Sequence, residues 1–226
     1  MASKFRSKKE IIYDSLRDDI VGGHYDAGSR LVIDELAKQM GVSQIPIREA
    51  IQQLEADGFV TIEPYVGARI SEIDATFIFE VFALLESMEI ISSTLACSII
   101  SDAELEKLSQ MISEMDKDIA NPDVWSQKNK AFHLFICQCA NTQLVMKMMV
   151  KTFAHWDRLR NHYLQGITYN RIAEAQEQHH LLLDAFQERD AEKVEHIIRD
   201  HNQSALASYS QHLEEQGHLV LTESKN

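Results

Sequence analysis

The sequence predicts a mainly α-helical protein, a winged helix-turn-helix followed by an all-helical bundle of about six helices. Three observations carry that prediction. Only 8 Gly and 3 Pro fall among 226 residues, so few positions break a helix. Residues 33–73 read as two short helices around a glycine turn and then two alternating apolar segments around a second turn. Beyond Ile73 helical periodicity continues, with Pro122 as its single proline.

The first element is "KKEIIYDSLRDDIVGG", in which Ile12, Leu16 and Ile20 recur every fourth residue and the pattern stops at Gly22-Gly23. "YDAGSRL" has turn chemistry. "VIDELAKQM" is a short helix with Leu36 and Met40 on one side, closed by Gly41, which accepts a left-handed cap. Ser43 then occupies an N-cap position, where its hydroxyl can take a free backbone N–H. Pro46 follows within the first helical turn, where a missing N–H costs no intrahelical bond. Ile47, Ile51 and Leu54 face inward, leaving Gln44, Arg48, Gln52 and Glu55 outward. In such a motif the second helix enters the major groove, and Arg48 sits where a phosphate or guanine contact is useful. "FVTIE" and "ARISEI" flank Pro64-Tyr65-Val66-Gly67 and complete a hairpin wing. A packed helical hairpin without DNA-binding capacity is the plainer alternative for residues 33–58.

Composition sets limits on the rest. Hydrophobic residues at 45% and charged residues at 25% are ordinary for a globular protein. The net charge of −13 argues against a general nucleic-acid coat. It is unevenly spread: residues 1–73 hold 9 basic and 12 acidic side chains, residues 74–226 hold 13 and 23. That asymmetry divides the chain into a module over 1–73 and a second over 74–226. The basic cluster Lys4, Arg6, Lys8 and Lys9 is a source of phosphate contacts, with a solvated tail as the alternative. No apolar run approaches the roughly 20 residues that span a bilayer, and "MASKFRSKKE" lacks a secretory apolar stretch. Three cysteines, with Cys137 and Cys139 two apart, make no disulfide framework and read as small buried hydrophobes. A cytoplasmic protein with no membrane partner is expected.

Residues 10–73 resemble the N-terminal domain of GntR-type bacterial transcription regulators, through "LRDDI", "GSRL", "LAKQMGVS", "PIREA" and "LEADG". After Gly-Val-Ser that family usually reads Arg-Thr-Pro-Val-Arg-Glu. Here Gln44 and Ile45 replace the arginine and threonine, while Arg48 is retained. The wing, often Pro-Asn-Arg-Gly, is Pro64-Tyr65-Val66-Gly67 and lacks a basic tip. Glutamine favours adenine edges where arginine favours guanine, so an unusual operator is expected. Gly67 lets the wing approach a backbone closely. The DNA-contacting set is therefore Arg48, Gln44, Ser43, Gly67 and Arg6.

The second module reads as helices near 75–100, 102–119, 123–140, 142–165, 170–189 and 191–215, with Asp102, Asn121 and Asp190 as starts. Asn129 and His133 lie four apart and share a helix face. Antiparallel helices can bring His179 and His201 opposite them, and four N/O side chains converging in a bundle make a metal site. Polar groups satisfied within a bundle are the alternative reading of the same residues. "NKAFHLFICQCAN" and "HHLLLDAFQERDAEKVEHIIRDH" resemble segments of the FCD effector domain of the FadR branch of that family. The resemblance implies a divalent metal, zinc or nickel, on His133, His179 and His201, with Asn129 where the family has aspartate. His179 is preferred to His180 because it keeps the family's spacing. It further implies a small carboxylate effector, a homodimer, and double-stranded operator DNA as partner.

Where the family often has Arg-x-x-x-Glu, this chain has Phe82 to Glu86. Arg158 and Arg160 are then the expected carboxylate clamps, with His155 and His162 on the same helix. The leading expectation is a ligand-released repressor rather than an enzyme. One alternative is a metal-free regulator with an apolar pocket for an acyl-type ligand. The other is a helical metallohydrolase with Glu86 as general base.

Overall fold

The structure, a computed structural model, describes residues 6–164 and 168–215. Its described elements run α1 (Lys8–Val21), β1 (Arg30–Leu31), α2 (Ile33–Met40), α3 (Gln44–Ala56), β2 (Val60–Glu63), β3 (Gly67–Ile70), α4 (Ala75–Ile99), α5 (Asp102–Asp116), α6 (Pro122–Cys139), α7 (Gln143–Tyr163), α8 (Thr168–Glu188) and α9 (Ala191–Glu215). They form two compact units. The first runs to Ile73 and includes Asp157–His162; the second holds Asp74–Trp156 and the chain from Tyr163 onward. No described helix is long and apolar enough to cross a membrane.

In the first unit α1 opens with a reciprocal cap, Ser7 and Glu10 each bonding the other's backbone N–H. It buries Ile12, Leu16 and Ile20 against the Ile47, Ala50, Ile51 and Leu54 face of α3. Fully burying each large apolar side chain stabilises the unit by about 1.5–3 kcal/mol. Gly41 ends α2 at φ 64°, as the left-handed cap requires. The sheet is antiparallel in the order β1-β3-β2, with Arg30 opposite Arg69 and Thr61 opposite Arg69 on the other edge. The short strand β1 lies in the stretch that reads as turn chemistry alone. At two residues it is too brief to leave an alternating pattern.

The helical unit starts at Asp74, whose side chain accepts from the Phe77 N–H. α5 is capped by Ser101, one residue before the expected Asp102. Ser101 exchanges bonds with Glu104, and Asp102 becomes the first helical residue. Asn121 caps α6 with Pro122 behind it, and Asp190 accepts from the Lys193 N–H at the start of α9. One core joins Ala96, Leu108, Ile112, Trp125, Phe132, Phe186 and Ile198; a second joins Val81, Leu85, Met88, Cys137, Met149 and Phe153. Cys97, Cys137 and Cys139 are free and buried.

Candidate functional site

Two sets of side chains stand out, one in each unit. On the first, α3 exposes Ser43, Gln44, Ile45 and Arg48. Ser43 has the extended backbone of an N-cap, yet its hydroxyl makes no cap hydrogen bond. That differs from the expected cap and leaves the hydroxyl outward. The Gln44 amide donates to Asp34 at 2.5 Å, and Arg48 donates to the Gln44 oxygen at 3.3 Å. All three groups are exposed, so solvent competes for every bond in this chain. Ile45, 68% exposed, projects beside them from the same turn.

The wing has a feature that its own four-residue tip conceals. Gly67 has φ 103°, a conformation that favours glycine, and the Arg30 guanidinium lies 3.6 Å from where a Cβ would stand. Arg30 thus brings a cation to a wing whose tip has none; the signal was a pairing between β1 and β3 that sequence alone does not give. Tyr65, fully exposed at the tip, holds φ 66°, a left-handed conformation that costs a non-glycine residue about 1–2 kcal/mol. Arg6 forms an ion pair with Asp14.

In the helical unit α6 carries Asn129 and His133, α8 carries His179, and α9 carries His201. The ring centroids of His133, His179 and His201 lie 5.1–5.5 Å apart. Each ring offers a ligand nitrogen within 4.8 Å of the others. His180 is exposed and faces Asp116 at 3.0 Å, so it stays outside the cluster.

Each of the three rings has one nitrogen turned to a side-chain oxygen. His133 Nδ1 lies 3.3 Å from Glu89 Oε1, an ion-pair distance without hydrogen-bond geometry. His179 Nδ1 lies 3.5 Å from Gln176 Oε1, and His201 Nδ1 lies 2.9 Å from Gln178 Oε1. The amides are themselves oriented. Gln176 Oε1 accepts from the Trp125 indole, a donor only, while its nitrogen donates to Ile112 and Asp116. Gln178 Oε1 also accepts from Arg171. At His179 and His201 the acceptor at Nδ1 selects the tautomer protonated there and leaves Nε2 as the ligating atom, and the Glu89 carboxylate beside His133 Nδ1 favours the same tautomer. His179 Nε2 and Asn129 Oδ1 are buried without hydrogen-bond partners. Burial pushes the His179 imidazole well below its ordinary pKa, reinforced by His201, His133, His180 and Arg171. Burial, then His133 and Arg171, does the same to His201. Both rings are therefore neutral at neutral pH, the form that binds a metal.

His133, His201 and Asn129 line a cavity of about 60 Å³, with room on the order of four water molecules. Glu89, Arg171 and Asn202 are polar members of its wall, and Phe82, Trp156 and Tyr209 form an aromatic group. Arg171 is buried and bonds the His201 carbonyl at 2.8 Å, while its Nε has no hydrogen-bond partner.

Arg158 and Arg160, the expected clamps, do not line this cavity. The Arg158 side chain is fully buried and donates to the Ser71 carbonyl within the first unit. The guanidinium in the wall is Arg171 instead. His155 packs edge-on to Phe77 and His162 lies 3.1 Å from the Ile20 carbonyl, and neither lines the cavity. Glu86 pairs with Arg199 at 2.8 Å and likewise stands outside the wall.

Comparison with known proteins places both sets in context. Residues 80–204 match the family model described as FCD domain, and residues 8–70 match that described as bacterial regulatory proteins, gntR family. The chain is 22% identical over 198 residues to HTH-type transcriptional regulator McbR of Escherichia coli (strain K12), covering 87% of this chain and 90% of that one. It is 23% identical over 197 residues to HTH-type transcriptional repressor GlaR of the same organism, covering 84% and 90%. The solved structure of E. coli McbR/YncC superposes with a TM-score of 0.74 at 22% identity, covering 92% of this chain and 99% of that chain. That likeness extends the shared fold over both units.

Proposed function

The chain belongs to the gntR family of bacterial regulatory proteins and carries an FCD domain, and on that premise we propose a transcription repressor released from operator DNA by a small carboxylate. The observation that carries this reading is the convergence of three histidines, each with Nδ1 facing an oxygen, two of which, His133 and His201, line a small cavity. The donor set fits a divalent metal, zinc or nickel. His133, His179 and His201 would hold it through Nε2, and the partnerless Asn129 oxygen is a fourth donor. Such an ion would supply positive charge that anchors a carboxylate in the cavity, beside its group of aromatic rings. Arg171 Nε provides a second donor to the same group. A cavity of about 60 Å³ favours a small molecule over an acyl chain.

DNA contact is assigned to the α3 turn and the wing. Arg48, Gln44 and Ser43 reach the major groove, with Ile45 available to a thymine methyl, and Gly67 with Arg30 approaches the backbone. Two copies bind a near-palindrome. The exposed stripe Leu84, Ile91, Leu95 and Ile99 on α4 supports a homodimer, since spacings of seven and four keep these residues on one helix face. The effector lowers DNA affinity only as far as its own affinity differs between the DNA-bound and released states.

The test combines two measurements on protein purified without tag or chelator. Metal analysis is expected to find close to one divalent ion per chain. Footprinting on the chain's own upstream region, with a panel of small carboxylates, is expected to find one that releases the footprint. Release only by long-chain acyl compounds, with no metal, would replace this reading with the metal-free one.

A further inference from the structure

Glu89 is a carboxylate, 3% exposed, on a buried face of α4 that it shares with apolar residues and the serines Ser92 and Ser93. Burying a carboxylate is expensive unless it is paired and bonded, so its surroundings should explain it. Oε2 accepts from Asn202 Nδ2 at 2.8 Å, and that same amide donates to the Ile198 carbonyl at 3.1 Å. Asn202 therefore fixes the carboxylate rather than neutralising it. Oε1 faces His133 Nδ1 at 3.3 Å. The groups whose ligand atoms converge are the three histidines alone among the described residues, so Glu89 stands one step behind them.

The charge of the site points the same way. Imidazole nitrogens and the Asn129 amide oxygen provide no anionic ligand, and a divalent ion among them would leave two positive charges in a largely apolar cavity. Among the described residues Glu89 is the only carboxylate in the cavity wall.

We propose that Glu89 is the positioning residue of the metal site, holding His133 through Nδ1 and supplying from behind the negative charge that the direct ligands lack. The inference rests on the metal reading above. A carboxylate behind a ligating histidine fixes its ring, makes the ligating nitrogen more basic, and offsets the charge of the ion. Asn129 can then be neutral without the site being left uncompensated.

The experiment measures zinc affinity by competition with a chromogenic chelator on the full chain. Its variants are E89Q, N129D and the double variant E89Q/N129D, with the cobalt-substituted visible spectrum as a second readout. E89Q is expected to weaken binding by about 10–100-fold and to alter the cobalt bands, with the chain still folded. N129D is expected to recover a larger factor in the E89Q background than in the parent, because only there does the site lack a carboxylate. Should E89Q fail to fold, Asn202→Ser keeps the carboxylate and loosens it, and a weaker zinc affinity is expected from that change alone. A parent that binds zinc tightly with E89Q unchanged, or with N129D acting equally in both backgrounds, overturns the role of Glu89 and leaves the metal reading standing. A parent that binds no divalent metal overturns both.

Discussion

The turn of α3 and the histidine cavity solve opposite problems with similar residue types. Around α3 the polar groups are exposed and bonded to one another, Arg48 to Gln44 and Gln44 to Asp34. Those bonds are easily exchanged for bonds to a base or phosphate, since water already competes for them. In the helical unit each imidazole is buried or half-buried, and its Nδ1 faces an oxygen that other groups hold in place. A reading surface profits from donors that can be re-aimed, whereas a binding cavity profits from donors that cannot. The difference teaches that a residue's partners in the free protein indicate which task it serves.

The largest expected effect tests whether the two regions are separable. On the metal reading, the double variant His133→Ala, His201→Ala should bind no divalent ion while its operator affinity without effector stays within about twofold, in line with additivity between sites that share no partner. Metal analysis beside fluorescence anisotropy on the operator checks this, and a matching loss of DNA affinity would break the division.

Arg48→Ala should lower operator affinity by about 10–100-fold, corresponding to about 1–3 kcal/mol for a specific base contact. Zinc affinity should not move. The same variant sharpens the role of Arg48: a uniform loss on all sequences with a shallower salt dependence marks a phosphate contact, and a loss confined to the operator marks a base contact.

A smaller effect concerns acid. The folded-state pKa values of His179 and His201 are depressed, so below the unfolded value of about 6.5 the unfolded chain holds more protons than the folded one. Stability of the metal-free protein should therefore be full above that pH and fall as the pH drops through it, by at most about 1.4 kcal/mol per pH unit for each histidine. Urea midpoints of the metal-free protein between pH 7.5 and 5.5 measure it. A flat profile would show that neither ring is held neutral.

The smallest effect lies in the wing. Tyr65→Gly relieves a left-handed φ of 66° and should stabilise the first unit by about 0.5–1 kcal/mol, the relief being partly offset by glycine's freedom in the unfolded chain. Thermal melts read the gain. A simultaneous fall in operator affinity would show that the tyrosine holds its conformation for contact with DNA.

Periodicity made the helices legible. Ile12, Leu16 and Ile20 lie on one buried face of α1, and α4 to α9 fall within a few residues of the expected ranges. One cap shifted, from Asp102 to Ser101, because serine with glutamate three residues on is a stronger start than the aspartate beside it. Of the site, the sequence displayed the three clustered histidines and Asn129. It did not display Glu89, Gln176, Gln178 or Arg171, since a polar residue in a helix takes meaning only from the helix packed against it. Arg158 and Arg160 stand outside the cavity wall, and for Arg158 the reason is the same in reverse: a cation on a helix face reads as available until its neighbours are known.

The chain has two tryptophans, and both Trp125 and Trp156 line the cavity. Trp125 stacks on His179 with ring centroids 5.8 Å apart, while Trp156 packs against Phe82 and Tyr209. The tryptophan emission of the unlabelled protein, excited to the red of tyrosine absorption, therefore originates at the cavity where an effector would enter. An ion arriving at His179 should dim Trp125, and a ligand body among the aromatic rings should shift Trp156. Replacing either indole with phenylalanine would turn one optical signal into two separate gauges of occupancy.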